Sequence, residues 1–146
     1  MHQVGGGCHC GNVRVELELA RAPGTYQPRV CDCDFCRKHS AAYVSDAHGI
    51  LRIRVQNARD CGEYRQGSSQ AEFLLCRNCG ILIGILYRDG GRIYGAVNAR
   101  TIDAGTDFGP EQPVSPRKLS ADDKAKRWQN IWFSTVTLVN VSPAAP

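Results

Sequence analysis

Eight cysteines are the residues of this chain best suited to chemistry, and seven of them lie in three short groups. Thiolates bind metal ions, form disulfides or act as nucleophiles. Close spacing favours metal binding, because a tetrahedral zinc ion with bonds of about 2.3 Å needs sulfurs that converge on one point. The three groups are Cys8-His9-Cys10, Cys31-Asp32-Cys33-Asp34-Phe35-Cys36 and Cys76-Arg77-Asn78-Cys79.

This grouping predicts two zinc sites of different kinds. The first and third groups each supply half of a four-thiolate site, the usual composition of a structural zinc. The middle group leaves one corner of the tetrahedron for water or substrate, as in a catalytic zinc. Gly11 and Gly80, each directly after a cysteine, can adopt the positive φ that a chain folding around sulfur needs. An iron–sulfur cluster and redox or disulfide use are the alternatives. The predicted ligands are Cys8, Cys10, Cys76 and Cys79 for the structural zinc, and Cys31, Cys33 and Cys36 for the second zinc.

The rest of the sequence favours a cytoplasmic setting. Residues 1–7 have neither the basic nor the apolar region of a secretory signal, and polar residues and prolines interrupt the longest uncharged stretch, 129–146. Cytosolic thiols stay reduced, so disulfides are not expected. The 18 Lys and Arg residues exceed the 14 Asp and Glu residues but are scattered among apolar neighbours. The sequence therefore favours neither a membrane nor a nucleic-acid partner.

Hydrophobic patterning predicts a mainly β protein with a single domain over residues 4–142. Apolar and polar residues alternate over 12–20 and 51–56, as in strands with one face in water. Further strands are predicted over 72–76, 81–87, 92–98 and 133–141, and a loop over 104–116. Ser120 and Asp123 have the spacing of a capping box and predict a short helix after Ser120.

The residues around the cysteines resemble one known family. The order and spacing of all seven grouped cysteines are similar to those of the glutathione-dependent formaldehyde-activating enzyme family, also called the centromere protein V domain family. The likeness covers roughly residues 4–135 and includes Ala96-Val97-Asn98 after the last pair. The matching segments are Gly6-Gly7-Cys8-His9-Cys10-Gly11-Asn12-Val13-Arg14, the CxCxxC from Cys31 to Cys36, and Leu75-Cys76-Arg77-Asn78-Cys79-Gly80.

The resemblance implies an Mss4-like fold of coiled antiparallel β-sheets with zinc sites and short helical turns. It implies the same division of the cysteines that their spacing predicts, with two Zn²⁺ ions per chain. The family's named activity condenses formaldehyde with glutathione to S-hydroxymethylglutathione. A small thiol such as glutathione and an aldehyde are therefore the implied partners.

Three titratable residues near the second group are candidates for proton transfer. If the open corner holds a substrate thiol as thiolate, addition to a carbonyl leaves an alkoxide that must gain a proton. Asp32, Asp34 and His39 are the nearest such groups in sequence, and His39 is the better general acid near pH 7. Asp32 and Asp34 could instead cap turns, and His39 could instead be a fourth zinc ligand that closes the site.

Several neighbouring residues have alternative interpretations. Arg37 and Lys38 could hold the carboxylates of a glutathione-like thiol or could form a solvated charged turn. Cys61 lies outside the pattern and is expected to be an ordinary buried thiol. Trp128 and Trp132 are expected in the core.

Two classes of function follow. The first is a zinc-dependent carbon–sulfur lyase-type enzyme that forms or cleaves a thiol–aldehyde adduct, such as S-hydroxymethylglutathione. It predicts that His39 lies away from the metal and that a pocket lies beside residues 31–36. The alternative is a non-catalytic zinc-binding module that interacts with a protein or a nucleic acid. It predicts that only protein ligands surround the second metal.

Overall fold

Two β-sheets make up most of the fold, and the larger sheet carries the longer of two α-helices. In the computed structural model, which describes residues 1–141, the sheets have four and seven strands. Residue 142, the last residue of the predicted domain, lies outside the described residues. The strands are β1 (His2–Gly7), β2 (Val13–Leu19), β3 (Arg29–Cys31), β4 (Tyr43–Val44), β5 (Ile50–Val55), β6 (Cys61–Tyr64), β7 (Ala71–Cys76), β8 (Leu82–Asp89), β9 (Arg92–Asn98), β10 (Gln112–Val114) and β11 (Thr135–Asn140). The helices are α1 (Asp34–Lys38) and α2 (Ala121–Ile131).

The sheet topology confirms the mainly β prediction. Two strand pairings are parallel, however, whereas the family resemblance implies antiparallel sheets. The smaller sheet has the order β1-β2-β5-β11 and the larger has the order β10-β3-β4-β9-β8-β7-β6. Most neighbours are antiparallel, but β11 runs parallel to β5 and β10 runs parallel to β3. Parallel neighbours require long connections, which are not visible in local sequence patterns. Part of the predicted loop 104–116 is therefore the edge strand β10, where Pro113 is tolerated because its missing N–H faces no further strand.

Strand periodicity explains how the sheets pack. Side chains of β2 alternate between buried and exposed positions, as the sequence predicts, because one face of the smaller sheet meets the core and the other meets water. Strands β7, β8 and β9 are buried on both faces. The larger sheet is thus the central layer of the fold.

The two faces of the larger sheet contribute to two separate cores. On one face, β2 and β5 supply the fully buried Val13, Leu17 and Leu51, which pack in one cluster with Leu74 and Ile83. The second core contains α2 and the cysteines of the middle group. Its members include Cys36, Tyr43, Phe73, Ile85, Tyr94, Trp128 and Trp132.

Helix α2 begins where the sequence predicts. The Ser120 hydroxyl accepts a hydrogen bond from the Asp123 amide at 3.1 Å, which satisfies one of the free N–H groups of the first turn. Trp128 is buried, and its ring stacks on Trp132 at a centroid distance of 4.9 Å. Within residues 1–141, no helix is both long and apolar enough to cross a membrane.

Strand β1 is absent from the sequence-based prediction because three glycines occupy its end. Glycine is a weak strand former, so the pattern gives no signal. Packing explains why position 6 is a glycine. A Cβ there would lie 2.8 Å from the Cα of Ile102 and would also meet the Thr101 carbonyl oxygen. The close approach allows a bridge between Gly6 and Ile102, which ties β1 to the segment after β9.

Candidate metal centres

The four cysteines predicted to hold the structural zinc lie together and join the two sheets. They are called the first cysteine group from here on, and Cys31, Cys33 and Cys36 are called the second. Cys8 and Cys10 follow β1 in the smaller sheet, whereas Cys76 ends β7 and Cys79 lies in the turn before β8. The four Sγ atoms lie within 4.8 Å of one another. The glycines of both turns adopt positive φ, 83° at Gly11 and 80° at Gly80. These angles confirm the predicted turn geometry around the sulfurs.

Sulfur spacing in this group fits a tetrahedral metal ion. The Cys10 Sγ lies 3.7 Å from the Cys8 Sγ and 3.6 Å from the Cys76 Sγ. Sulfurs at the corners of a tetrahedron with bonds of about 2.3 Å are about 3.8 Å apart, whereas a disulfide bond is about 2.05 Å long. The Cys8 sulfur also accepts a hydrogen bond from the Val13 amide at 3.3 Å, a contact that can orient a ligand sulfur. The donor set and its spacing therefore fit a bound metal.

The second cysteine group lies on the opposite face of the larger sheet. Cys31 ends β3, Cys33 caps the N-terminus of α1, and Cys36 is buried within α1. Their three Sγ atoms lie within 4.8 Å of one another. Among residues 1–141, no histidine or carboxylate joins this set at that distance. His39 instead packs against Phe35, with ring centroids 4.7 Å apart.

Electrostatics within the second group favour a bound cation. The Cys36 thiol and the Cys33 amide donate hydrogen bonds that lower the pKa of Cys31 to about 6, although burial opposes the shift. The hydrogen bond to Cys31 and burial raise the pKa of Cys36 well above its usual value. Three adjacent thiolates that are partly or fully buried repel one another, so the sulfurs share a proton unless a cation neutralises them. This donor set fits a thiophilic metal.

Two polar side chains complete the surroundings of the second group. The Tyr43 hydroxyl lies 3.1 Å from the Cys36 Sγ, and both residues are buried. The Gln66 side-chain amide donates to the Cys33 Sγ at 3.9 Å. Hydrogen bonds to ligand sulfurs orient a metal site and adjust its charge.

A cavity of about 110 Å³ opens beside the second group. All three cysteines line it, together with Tyr43 and Gln66. The other walls are aromatic and basic: Phe73, Trp128 and Trp132 on one hand, and Arg29, Arg117, Lys124 and Arg127 on the other. A small apolar pocket with converging polar groups is the usual form of a binding site.

The three candidates for proton transfer lie outside the set of residues that line this cavity. Asp32 accepts hydrogen bonds from the Ser115 hydroxyl at 2.6 Å and from Arg117 at 3.1 Å, and these contacts hold the pKa of its carboxyl below the usual range. The Asp34 carboxylate is exposed and lies 4.0 Å from the Arg37 guanidinium. His39 is partly exposed beside Phe35. The structure brings the cysteines together but not these three side chains.

Sequence reasoning missed most of the cavity wall. Arg37 and Lys38 are exposed, whereas Arg29 and Arg127 line the cavity from β3 and α2. Trp128 and Trp132 belong to the core as predicted, but they also line the cavity. One of the missed polar residues could have been found from the sequence: Arg29 lies only two residues before Cys31.

Comparison with known proteins is consistent with this architecture. The model of the family described as "Glutathione-dependent formaldehyde-activating enzyme" matches residues 3–116. A Rhodobacter sphaeroides protein of known crystal structure is similar in fold, with a TM-score of 0.52 and 32% sequence identity over 70% of this chain and 90% of that chain. The two sheets, the short helices and the cysteine groups are those of an Mss4-like fold. The chain belongs to the glutathione-dependent formaldehyde-activating enzyme family.

Proposed function

We propose that this protein is a zinc-dependent carbon–sulfur lyase-type enzyme that forms or cleaves a thiol–aldehyde adduct. The family suggests glutathione and formaldehyde as the substrates, with S-hydroxymethylglutathione as the adduct. The observation that carries the proposal is the three-cysteine group in the wall of a cavity, with no His, Asp, Glu or further Cys beside it among residues 1–141. Such a site has room for a substrate at the metal.

Each cysteine group has a distinct role in this proposal. Cys8, Cys10, Cys76 and Cys79 hold a structural zinc, whereas Cys31, Cys33 and Cys36 hold the second zinc. When bound at the second group, zinc supplies a Lewis acid that keeps the substrate thiol in its thiolate form. The reaction joins the substrate sulfur to the aldehyde carbon, and the proton that leaves the thiol is balanced by one gained at the aldehyde oxygen.

Residues in and near the cavity wall affect the transfer of this proton and the access of water to the substrate. Burial and the adjoining Cys36 charge raise the pKa of Tyr43, so its hydroxyl keeps its proton and donates it within a hydrogen bond. His39, Asp32 and Asp34 stay candidates for proton transfer, and each requires a relay of water because none of them lines the cavity. The rings of Trp128 and Trp132 exclude water from one side of the site.

Measurements of zinc content and adduct formation test this proposal. Zinc-loaded protein is expected to accelerate exchange between formaldehyde, glutathione and S-hydroxymethylglutathione above the spontaneous rate, followed by NMR exchange spectroscopy. Cys31→Ser is expected to abolish the acceleration and to release the second zinc only. Cys61→Ser is the matched control, because Cys61 lies outside both groups. The control is expected to keep both zinc ions and the activity.

The same measurements address the non-catalytic alternative. An interaction module predicts that the second metal has only protein ligands and that added thiol leaves it unchanged. In cobalt-substituted protein, glutathione is therefore expected to alter the visible absorption of the second site if the enzyme proposal holds. Fully loaded protein that neither responds to thiol nor accelerates exchange would contradict the enzyme proposal.

A further inference from the structure

The cavity beside the second cysteine group has an excess of positive charge. Four basic residues line it, and no Asp or Glu is among the lining residues. Arg117 is already paired with Asp32 at 3.1 Å. Among residues 1–141, Arg29, Lys124 and Arg127 form no ion pair with a carboxylate. The cavity therefore holds cations that no carboxylate of the described residues neutralises.

Arg29 has hydrogen-bond donors available to a ligand. Its Nη2 donates to the Ser45 hydroxyl at 2.7 Å, and that hydroxyl in turn donates to the Ile131 carbonyl at 2.7 Å. No buried side-chain nitrogen or oxygen in the described residues lacks a partner. The remaining N–H groups of Arg29 thus reach open space, in this cavity or in the adjoining cavity of about 490 Å³ that Arg29 also borders.

Arg127 faces Arg29 from helix α2. Both arginines line the same cavity and both are partly buried, so their positive charges act in one confined space. Two partly buried cations that repel each other are unfavourable unless an anion lies between them. A carboxylate suits this position because a guanidinium can bind both of its oxygens with parallel hydrogen bonds.

We propose that Arg29 and Arg127 bind a carboxylate of the substrate, so that the enzyme selects thiols and thiol–aldehyde adducts that carry an acidic group. This inference rests on the proposed function for the sulfur end of the substrate. The enclosed volume of about 110 Å³ is small compared with pockets of about 300–1,000 Å³ that enclose drug-sized ligands. The cavity accommodates the sulfur, the aldehyde carbon and one acidic arm, and any remainder of the substrate lies outside it.

Calorimetric titration of zinc-loaded protein with two thiols tests the inference. The probes are 3-mercaptopropionate, which has a carboxylate, and 2-mercaptoethanol, which is neutral and of similar length. Arg127→Met is expected to weaken binding of the acid roughly tenfold, the effect of losing one charge-assisted hydrogen bond, and binding of the alcohol less than twofold. Lys126→Met is the matched control, because Lys126 is exposed on the same helix and does not line the cavity.

A conservative variant keeps the test independent of folding. Arg29→Lys retains the charge and loses the forked donor, so it is expected to bind the acid several-fold more weakly while its unfolding temperature stays close to that of the wild type. Equal weakening of acid and alcohol in Arg127→Met would overturn the inference, because the arginine would then only balance the charge of the cysteines.

A probe without a free thiol separates this inference from the proposed function. S-methylglutathione retains both carboxylates and cannot present a thiolate to a metal. Weaker binding of this probe to Arg127→Met than to wild type supports the carboxylate subsite even if no thiol–aldehyde activity is found. Equal affinity of the two proteins for it, or no binding to either, would overturn the subsite. A comparison of two thiols then identifies the source of the carboxylate. Tighter binding of glutathione indicates a tripeptide, and tighter binding of 3-mercaptopropionate indicates a smaller thiol acid.

Discussion

The hydroxyl of Tyr43 lies 3.1 Å from the Sγ of Cys36, and both groups are buried in the wall of the cavity. Tyr43 belongs to the two-residue strand β4, whereas Cys36 belongs to helix α1. Because burial keeps the phenol protonated, the hydroxyl acts as a donor toward the sulfur. This contact couples the central sheet directly to the second cysteine group.

Tyr43→Phe removes this donor with little change in volume. We expect the variant to keep its fold and to form the adduct about 10- to 100-fold more slowly, as is typical when a hydrogen bond to a metal ligand is lost. The rate of adduct exchange and the zinc content measure the two effects. Tyr94→Phe is a control, because Tyr94 lies in the same core but does not line the cavity. Wild-type rates and zinc affinity in Tyr43→Phe would contradict a role for this contact.

Cys10→Ser tests the structural role of the first cysteine group. Cys10 is exposed, so its substitution changes little packing and isolates its contribution as a ligand. If both groups hold zinc as proposed, we expect zinc content to fall from two ions per chain to one, and the free energy of unfolding to fall by several kcal/mol. Mass spectrometry under native conditions and denaturant titration measure these changes. Full stability with one zinc ion lost would show that the first group does not support the fold.

Asp46 predicts a pH-dependent contribution to stability. It accepts hydrogen bonds from the Tyr26 hydroxyl at 2.6 Å and from the amides of Ala20 and His48, both at 2.8 Å. Burial raises the pKa of Asp46, but these hydrogen bonds outweigh burial and hold the pKa below its usual value. A lowered pKa in the folded state stabilises the fold above the unfolded-state pKa of about 3.9, and this stability is lost as pH falls through the folded-state pKa.

Asp46→Asn replaces one accepting oxygen with a donor. We expect it to lower the free energy of unfolding at pH 7 by about 2 to 4 kcal/mol, because at least one buried donor loses its partner. The difference from wild type is expected to shrink as pH falls below about 4. Urea titrations of both proteins at the same pH measure this difference in unfolding free energy. Because acid releases metal from both proteins alike, the loss of metal does not contribute to the difference. A difference that stays constant down to pH 3 would contradict the assignment.

Gly84→Ala tests the close packing of the central sheet. A Cβ at Gly84 would lie 3.2 Å from the Cα of Val97 and would also meet the Ala96 carbonyl oxygen on β9. The backbone cannot yield without disturbing the β8–β9 pairing, so we expect a loss of about 2 kcal/mol or more in unfolding free energy. Gly91→Ala in the turn of the same hairpin is the control, since its Cβ would meet no atom within 4 Å. We expect the control to change stability by less than about 0.5 kcal/mol, and equal losses would contradict the packing argument.

Local sequence patterns predicted those parts of the molecule that local geometry determines. Cysteines two or three positions apart lie in single turns, so the two pairs and the triplet that make up the candidate metal centres could be predicted before the fold was known. The alternation over β2 and the Ser120 cap likewise depend on neighbouring residues alone. In the same way, the positive φ of Gly80 follows from its place after Cys79.

The cavity could not be predicted in this way, because its walls come from distant parts of the chain. Arg29 and Arg127 meet only after α2 has packed on the larger sheet, and neither residue belongs to a motif. Strand β10 was missed for a similar reason, since its parallel pairing with β3 overrides the turn propensity of a segment that contains Pro113. Tertiary contacts decide such features.

We expect the first cysteine group also to affect how the chain folds. Cys10 and Cys76 are separated by 66 positions, and closing a flexible loop of that length costs about 4 kcal/mol in chain entropy. A metal that binds both pairs early turns this distant contact into a cross-link and shortens the search for the docked arrangement of the sheets. Refolding from denaturant is therefore expected to be slower when zinc is scarce. Newly made chain that lacks zinc is then expected to spend longer with its two sheets undocked.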